Sequence, residues 1–471
     1  MPGAPFPKRI TAFALAATVA VAGCVQVPRV DEHRLAQEAA GAAPIRVYGA
    51  RGPLSRWQSR AILARVAVQA PHAGMLERHL AVEQIIANDP LYTGNAVRVL
   101  RDGKEALPAI FAAIAAARHF IDLEYYTLQD VRCDGRDLGQ LLAAKTRTGV
   151  RVRVIYDAVG SLTTPAAFFQ QLRAAGVRLV EYNPIDPLSS NGHFSPNDRD
   201  HRKILVADDR VAFVGGVNLS TSYESIRTRD RALATRHGKP VAHERVWHDI
   251  DLEIHGPAVP ELAQLFREHW RAQGGAPYER DDFRPRPVGH QIVRVLGSSP
   301  SDLTLRYYAT MLTAIRAATH SVWMTAAYFV PTRQELRAIK AAARRGVDVR
   351  VLLPSHSDVG PIIAVQRSYY PQLLRAGVKI YERRHGFEHS KSMVIDDVWS
   401  LVGSSNFDQR SVLFNDEVDV IVLGRSTARQ LRAAMISGMR HARRINWRDV
   451  RKEGALERFK AWIWGLWRRL L

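Results

Sequence analysis

Two nine-residue stretches of the chain share one pattern. "HRKILVADD" runs from His201 to Asp209 and "HSKSMVIDD" from His389 to Asp397. Each puts a histidine two residues before a lysine, then an apolar-leaning run, then two acids. Side chains two apart on an extended chain share a face. His201 with Lys203, and His389 with Lys391, therefore each set an imidazole beside an ammonium. "GGVN" (Gly215 to Asn218) and "GSSN" (Gly403 to Asn406) follow the two stretches. If Asp-Asp is a two-residue hairpin turn, the chain returns with His389 facing Ser404 and Lys391 facing Val402. His201, Lys203, Gly216 and Asn218 then share one face, as do His389, Lys391, Ser404 and Asn406. Asp208 and Asp396 fall at the turns, off that face.

Two such hairpins brought together suit a phosphodiester. Lysines and amides stabilise charge on the non-bridging oxygens. One histidine can attack phosphorus and the other can protonate the leaving alcohol. Two ammonium groups would repel a divalent ion, and neither offers a lone pair, so no metal and no cofactor is expected there. Each copy also carries a later acid, Asp249 seven residues before Gly256 and Glu417 seven before Gly424. A carboxylate at that point can hold the far nitrogen of a histidine and fix its tautomer.

The elements around the two stretches repeat as well. "FIDLEYYTL" from Phe120, "VRVRVIYD" (Val150 to Asp157) and "LRAAGVRL" precede the first. "SVWMTAAYFV" from Ser321, "VDVRVLLP" (Val347 to Pro354) and "LLRAGVKI" precede the second. Strands alternating with helices predict βαβ units and a largely parallel sheet in each half. A period of about 190 residues marks a duplicated domain and not a solenoid. The expected fold is α/β: two tandem α/β/α sandwich domains in a pseudo-twofold arrangement, with the site at their interface. The expected divisions are a helical segment at 25–90, a first domain at 91–272, a Pro/Gly-rich linker at 273–289 and a second domain at 290–450. An amphipathic helix is expected at 451–471.

At these residues the chain resembles the phospholipase D superfamily, whose motif is H-x-K-x-x-x-x-D followed by G-[GS]-x-N. "HRKILVAD…GGVN" and "HSKSMVID…GSSN" carry the likeness, which covers about residues 90–450. Within the superfamily the chain is most similar to bacterial cardiolipin synthases, with "YFVPT" and "LLPSHSD" adding to the match. The resemblance implies phosphatidyl transfer through a phosphatidyl-histidine, without a metal. It implies His201 as nucleophile and His389 as acid. Lys203, Asn218, Lys391, Ser404 and Asn406 become phosphate ligands, and Asp249 and Glu417 orient the histidines. Asp208 and Asp396 belong to the signature. The chain departs from the family after Asn218, where it reads "LSTSYES" in place of an I-G-D-E-Y-like run. The family's usual pair of N-terminal transmembrane helices is also missing from its place.

The chain has 471 residues and a formal net charge of +20, which attracts a polyanion. Its start argues for lipid. Lys8 and Arg9 precede the apolar run Ile10 to Cys24, which is short for a membrane span. "VAGC" at its end resembles a lipobox, so 1–24 is expected to be a lipoprotein-type signal peptide with Cys24 lipidated. The expected location is the bacterial cell envelope, anchored and facing the periplasm or exterior. Cys133 is the only other cysteine, so no disulfide framework exists. "FKAWIWGLWRRLL" at the end has Phe459, Trp462, Ile463, Leu466 and Leu470 at helical spacing, which suits a membrane interface. Anionic phospholipids and the membrane surface are the expected partners, in preference to nucleic acid, and no obligate protein partner is evident. The alternatives to cardiolipin synthesis are phospholipid hydrolysis and a membrane-tethered nuclease.

Overall fold

The computed structural model describes residues 27–69, 74–87, 89–186, 195, 197–224, 246–277, 285–300, 305–452 and 454–466. The signal-peptide and Cys24 expectations lie outside these residues.

Seven strands build the first half: β1 (Leu91–Arg101), β2 (Phe120–Tyr125), β3 (Arg151–Asp157), β4 (Arg178–Tyr182), β5 (Lys203–Ala207), β6 (Val211–Gly215) and β7 (Ile250–His255). Seven build the second: β8 (Gln291–Ser298), β9 (Ser321–Thr325), β10 (Asp348–Pro354), β11 (Lys379–Arg383), β12 (Ser392–Ile395), β13 (Trp399–Gly403) and β14 (Asn415–Leu423). Pairing runs β4-β3-β2-β5-β6-β7-β1 in the first half. It runs β11-β10-β9-β12-β13-β14-β8 in the second. The two orders match strand for strand, and β1 joins β8 at the seam.

The sheets are mixed, which corrects the expectation of largely parallel ones. Among these fourteen strands the parallel pairings are those of β2, β3 and β4 and of their counterparts β9, β10 and β11, with helices crossing between them. The remaining strands follow one another through hairpins or pair across the seam, and they run antiparallel. Apolar residues alternate on these strands and fill a core shared by the halves. Ile204, Val206, Val214 and Leu252 of one sheet meet Val394, Val402, Val418 and Val420 of the other. Burying this face commits the two sheets to each other.

The segment before β1 belongs with the second half. Met75, Leu76 and Leu80 of the helix Gly74–Ala87 pack among Tyr307, Met311 and Ile315. Glu83 of that helix is fully buried, pairs with Arg294 at 2.6 Å and accepts from Trp399 Nε1 at 2.9 Å. At the other end a helix at Trp447–Lys452 precedes a second at Ala455–Leu466, which packs on the helix Gly360–Ser368. No helix among the described residues is long and apolar enough to cross a membrane.

Candidate functional site

The Asp-Asp pairs do form the expected turns. Asp208, Asp209, Asp396 and Asp397 all have positive φ, and the Arg210 and Val398 N–H groups close the turns onto Ala207 and Ile395. The ladder then resumes one residue late. Ile204 faces Val214, and Ser392 faces Val402, where the two-residue hairpin expected Phe213 and Leu401. Arg210 and Val398 are the extra residues. The strands also start later than the motif: His201 and Arg202 precede β5, and His389 to Lys391 precede β12.

The signature acids use the turn for a backbone task. Asp208 accepts from the N–H groups of Arg118, His119 and Phe120 at 2.7, 2.8 and 2.9 Å. Asp396 accepts from Thr319, His320 and Ser321 N–H, each at 2.8 Å. Each turn is thereby fastened to the start of its central strand, β2 or β9, away from the histidines.

The later acids serve the opposite half. A two-residue strand, Arg199–Asp200, leads to His201 and pairs in parallel with Asn415–Asp416 of β14. One step on, His201 stands beside Glu417. The strand Trp247–His248 pairs in parallel with Phe387–Glu388, and one step on, Asp249 stands beside His389. His201 Nδ1 meets the Glu417 oxygens at 3.0 and 3.1 Å. His389 Nδ1 meets Asp249 Oδ2 at 2.6 Å. The backbone locks the same crossing, with His201 N–H on Asp416 C=O at 2.9 Å and His389 N–H on His248 C=O at 2.8 Å. Each carboxylate fixes the Nδ1–H tautomer and leaves Nε2 for chemistry.

Both histidines line one cavity of about 330 Å³ between the halves, together with Asn218, Asn406, Arg199 and Arg410. Lys203 and Lys391 are buried next to the two histidines. Lys203 Nζ donates to His201 C=O at 2.6 Å, and Lys391 Nζ lies 3.0 Å from His389 Nε2. Asn218 Oδ1 accepts from Thr127 N–H at 3.1 Å. Burial pulls both imidazoles down to about 4. It also brings Lys203 to about 7 and Lys391 to about 8, against the pull of Glu417 and Asp249. Burial pushes the Glu417 carboxyl up, but His201 and Lys203 outweigh it and hold the group at about 2. Asp249 is likewise held below its usual value by His389 and Lys391, against its burial. At neutral pH the site therefore presents neutral imidazoles against ionised carboxylates.

Ser404 is a correction. Expected on the phosphate, it is fully buried and its hydroxyl donates to Glu417. The hydroxyl also accepts from Val418 N–H at 3.0 Å, which fixes it at the acid. In the first half no side chain fits at the matching place: a Cβ on Gly216 would lie 2.0 Å from Asp249 Oδ1.

Sequence reasoning missed the other partners of the two acids. Tyr223 OH donates to Asp249 Oδ2 at 2.8 Å. Ser411 Oγ donates to Glu417 Oε1 at 2.8 Å. Both stand five residues after a motif asparagine, Asn218 or Asn406, and that shared offset was the available signal. Trp247 was missed too; its ring lies 4.6 Å from that of His389.

A protein-family model described as "Cardiolipin synthase, PLD-like domain" matches residues 110–241 and 311–437. The cardiolipin synthase of Geobacillus kaustophilus (strain HTA426) is 35% identical over 391 residues, 81% of this chain and 73% of that protein. Cardiolipin synthase A of Pseudomonas putida is 34% identical over 370 residues, 78% of this chain and 73% of that one. The crystal structure of the phosphatidylserine synthase of Haemophilus influenzae Rd KW20 superimposes with a TM-score of 0.59 at 14% identity. It covers 83% of this chain and 99% of that one, so the fold is shared. The duplicated motif, the crossed histidine–carboxylate pairs and these matches agree: the chain belongs to the phospholipase-D-like cardiolipin synthase family.

Proposed function

We propose that the chain makes cardiolipin by phosphatidyl transfer between two phosphatidylglycerols. The observation that carries this reading is the pair of histidines on one cavity, each held by the other half's carboxylate. His201 Nε2 attacks phosphorus, and the bond from phosphorus to the headgroup glycerol oxygen breaks. His389 Nε2 supplies the proton that the departing oxygen takes, and the arriving anionic phosphodiester favours the imidazolium that does so. The second phosphatidylglycerol then enters. Its hydroxyl gives a proton to the now neutral His389 while its oxygen attacks phosphorus, and the phosphorus–nitrogen bond breaks. Lys203, Lys391, Asn218 and Asn406 stabilise charge on the non-bridging oxygens in both steps. Glu417 and Asp249 hold the ring orientations.

The same reading puts the chain on an anionic membrane, anchored through Cys24 in a bacterial envelope. The helix Ala455–Leu466 exposes Phe459, Trp462 and Trp464. It packs on the helix Gly360–Ser368, whose Ile362 lines the cavity. Aromatic side chains with neighbouring cations suit the headgroup layer. Deleting residues 455–471 should weaken binding to phosphatidylglycerol vesicles while the far-UV circular dichroism stays that of a folded chain. Unchanged vesicle binding would remove the helix from the membrane contact.

The deciding assay is purified protein with phosphatidylglycerol, with products resolved by mass spectrometry. Cardiolipin and glycerol in equal amounts are expected. Phosphatidic acid and glycerol without cardiolipin would make the chain a hydrolase.

A further inference from the structure

His201 and Glu417 point to one side of their paired strands. Alternation turns their neighbours Asp200 and Asp416 to the other side. There they meet Glu124 of β2 and His269 of the helix Val259–Ala272. Ligating atoms of Glu124, Asp200 and His269 lie within 4.8 Å of one another. The three residues are 0%, 0% and 7% exposed. His269 Nδ1 donates to Glu124 Oε1 at 2.7 Å. A neutral imidazole that donates from Nδ1 keeps a lone pair on Nε2. Glu124 Oε2, Asp200 Oδ2 and His269 Nε2 have no hydrogen-bond partner, and Asp416 Oδ2 stands 3.8 Å from that Nε2.

Charge is also out of balance. Glu124, Asp200 and Asp416 are three buried carboxyls. One guanidinium, Arg202, answers them from 3.4 Å to Glu124 and 3.5 Å to Asp416. The nearby Asp157 has its own cation, Arg199, at 3.5 Å. With all three ionised, two negative charges would stay uncompensated in a buried place, where isolated charge is costly.

We propose that this cluster binds one divalent cation through Glu124, Asp200 and His269, with Asp416 beside them. Two carboxylates and an imidazole suit Mn²⁺ or Zn²⁺ better than Mg²⁺ or Ca²⁺, which prefer all-oxygen sets. A second cavity, of about 280 Å³, carries Asp89, Glu261 and Glu268 on its wall and reaches Arg202. Its acidic wall gives a cation a path inward. The ion ties β2, the helix and the strand that delivers His201 into one unit. It sits on the face away from the phosphate cavity and takes no part in the transfer, so this inference is independent of which lipid reacts.

The competing arrangement is a proton on Asp200 in place of the ion. Untagged full-length protein, stripped with chelator and dialysed against Mn²⁺ or Zn²⁺, separates the two. The expected result is one ion per chain by elemental analysis, with a thermal midpoint raised by about 5 °C at a hundredfold excess of metal over Kd. Glu124→Gln combined with Asp200→Asn should weaken binding at least a hundredfold and make the midpoint insensitive to metal. If that double variant does not fold, Mn²⁺ in the wild type should show imidazole-nitrogen coupling by pulsed electron paramagnetic resonance, and His269→Gln should lose it. Two results would overturn the proposal. One is no stoichiometric ion, with Asp200→Asn as stable as wild type in chelator. The other is a bound ion that His269→Gln leaves unchanged.

Discussion

The two histidine stations are copies in sequence and differ in their surroundings. At both stations the lysine donates to its own histidine's carbonyl oxygen, Lys203 to His201 and Lys391 to His389. At His201, Glu417 takes donors from Ser404, Ser411 and Asn415. Tyr126 is the aromatic ring beside His201, at 5.2 Å. At His389 the lysine lies against the ring itself, 2.9 Å from Nδ1 and 3.0 Å from Nε2. Asp249 there takes its donor from Tyr223. Trp247, Phe387 and Tyr328 surround the His389 ring at 4.6, 5.4 and 6.2 Å. An ammonium beside a caged imidazole competes for its lone pair, which fits the proposed role of His389 as proton carrier and not nucleophile. The motif therefore builds two like scaffolds, and its own lysine and serine together with the rings around it make them unequal.

The largest effect should separate the histidines directly. His201→Ala should lower phosphatidyl transfer by on the order of 10³-fold or more, with any leaving group. His389→Ala should fall as far with phosphatidylglycerol, yet still react once with a nitrophenyl phosphodiester, whose leaving group needs no proton. Equal losses on both substrates would break the comparison.

Next come the crossed acids. Glu417→Gln and Asp249→Asn should each cost on the order of 10²- to 10⁴-fold, as for a carboxylate that fixes a catalytic tautomer. Crossing makes the substitutions distinguishable. Glu417→Gln should impair the nitrophenyl burst because it disturbs His201, and Asp249→Asn should spare it. The reverse pattern would mean that each acid serves its own half.

The partners of those acids are worth less. Tyr223→Phe and Ser411→Ala each remove one hydrogen bond to a buried carboxylate, a loss of about 1.5–3 kcal/mol, or about ten- to a hundredfold. Tyr223→Phe should behave like a mild Asp249→Asn, and Ser411→Ala like a mild Glu417→Gln. A burst lost in Tyr223→Phe and kept in Ser411→Ala would contradict the assignment.

The smallest effect is on stability against pH. Both imidazoles are held at about 4 in the folded protein, against about 6.5 in an unfolded chain. Between those values the unfolded state binds protons that the folded state refuses. Their contribution to stability therefore falls as pH drops from about 6.5 towards 4. Glu417, held at about 2, extends the loss further into acid. Across that window the denaturant midpoint of His201→Gln should gain on that of the wild type as pH drops, because the other buried groups are common to both. Equal slopes would mean that His201 is not held neutral by the fold.

Much of this was legible in the sequence because the chemistry is written in short spacings. His201, Lys203, His389 and Lys391 stand two apart, Asp208 and Asp396 fall on turns, and the βαβ repeat frames both. The register was not legible. Arg210 and Val398 add one residue to each hairpin, and nothing in their identity announces a bulge. Ser404 lies just past the end of its strand, where alternation no longer decides which way it faces. The exchange of acids between halves was also hidden, because it depends on two-residue strands pairing across the seam. The mixed sheet was misread for a related reason: apolar runs such as "ILVA" look alike whether their neighbours run parallel or antiparallel.

The most direct measurement is acid quench of the protein during turnover on phosphatidylglycerol radiolabelled in its phosphate, followed by peptide mapping. Label on the peptide that contains His201, and none on the peptide that contains His389, is the predicted result. Label on His389 would reverse the roles assigned to the two halves, and no label on either during full turnover would contradict the covalent route.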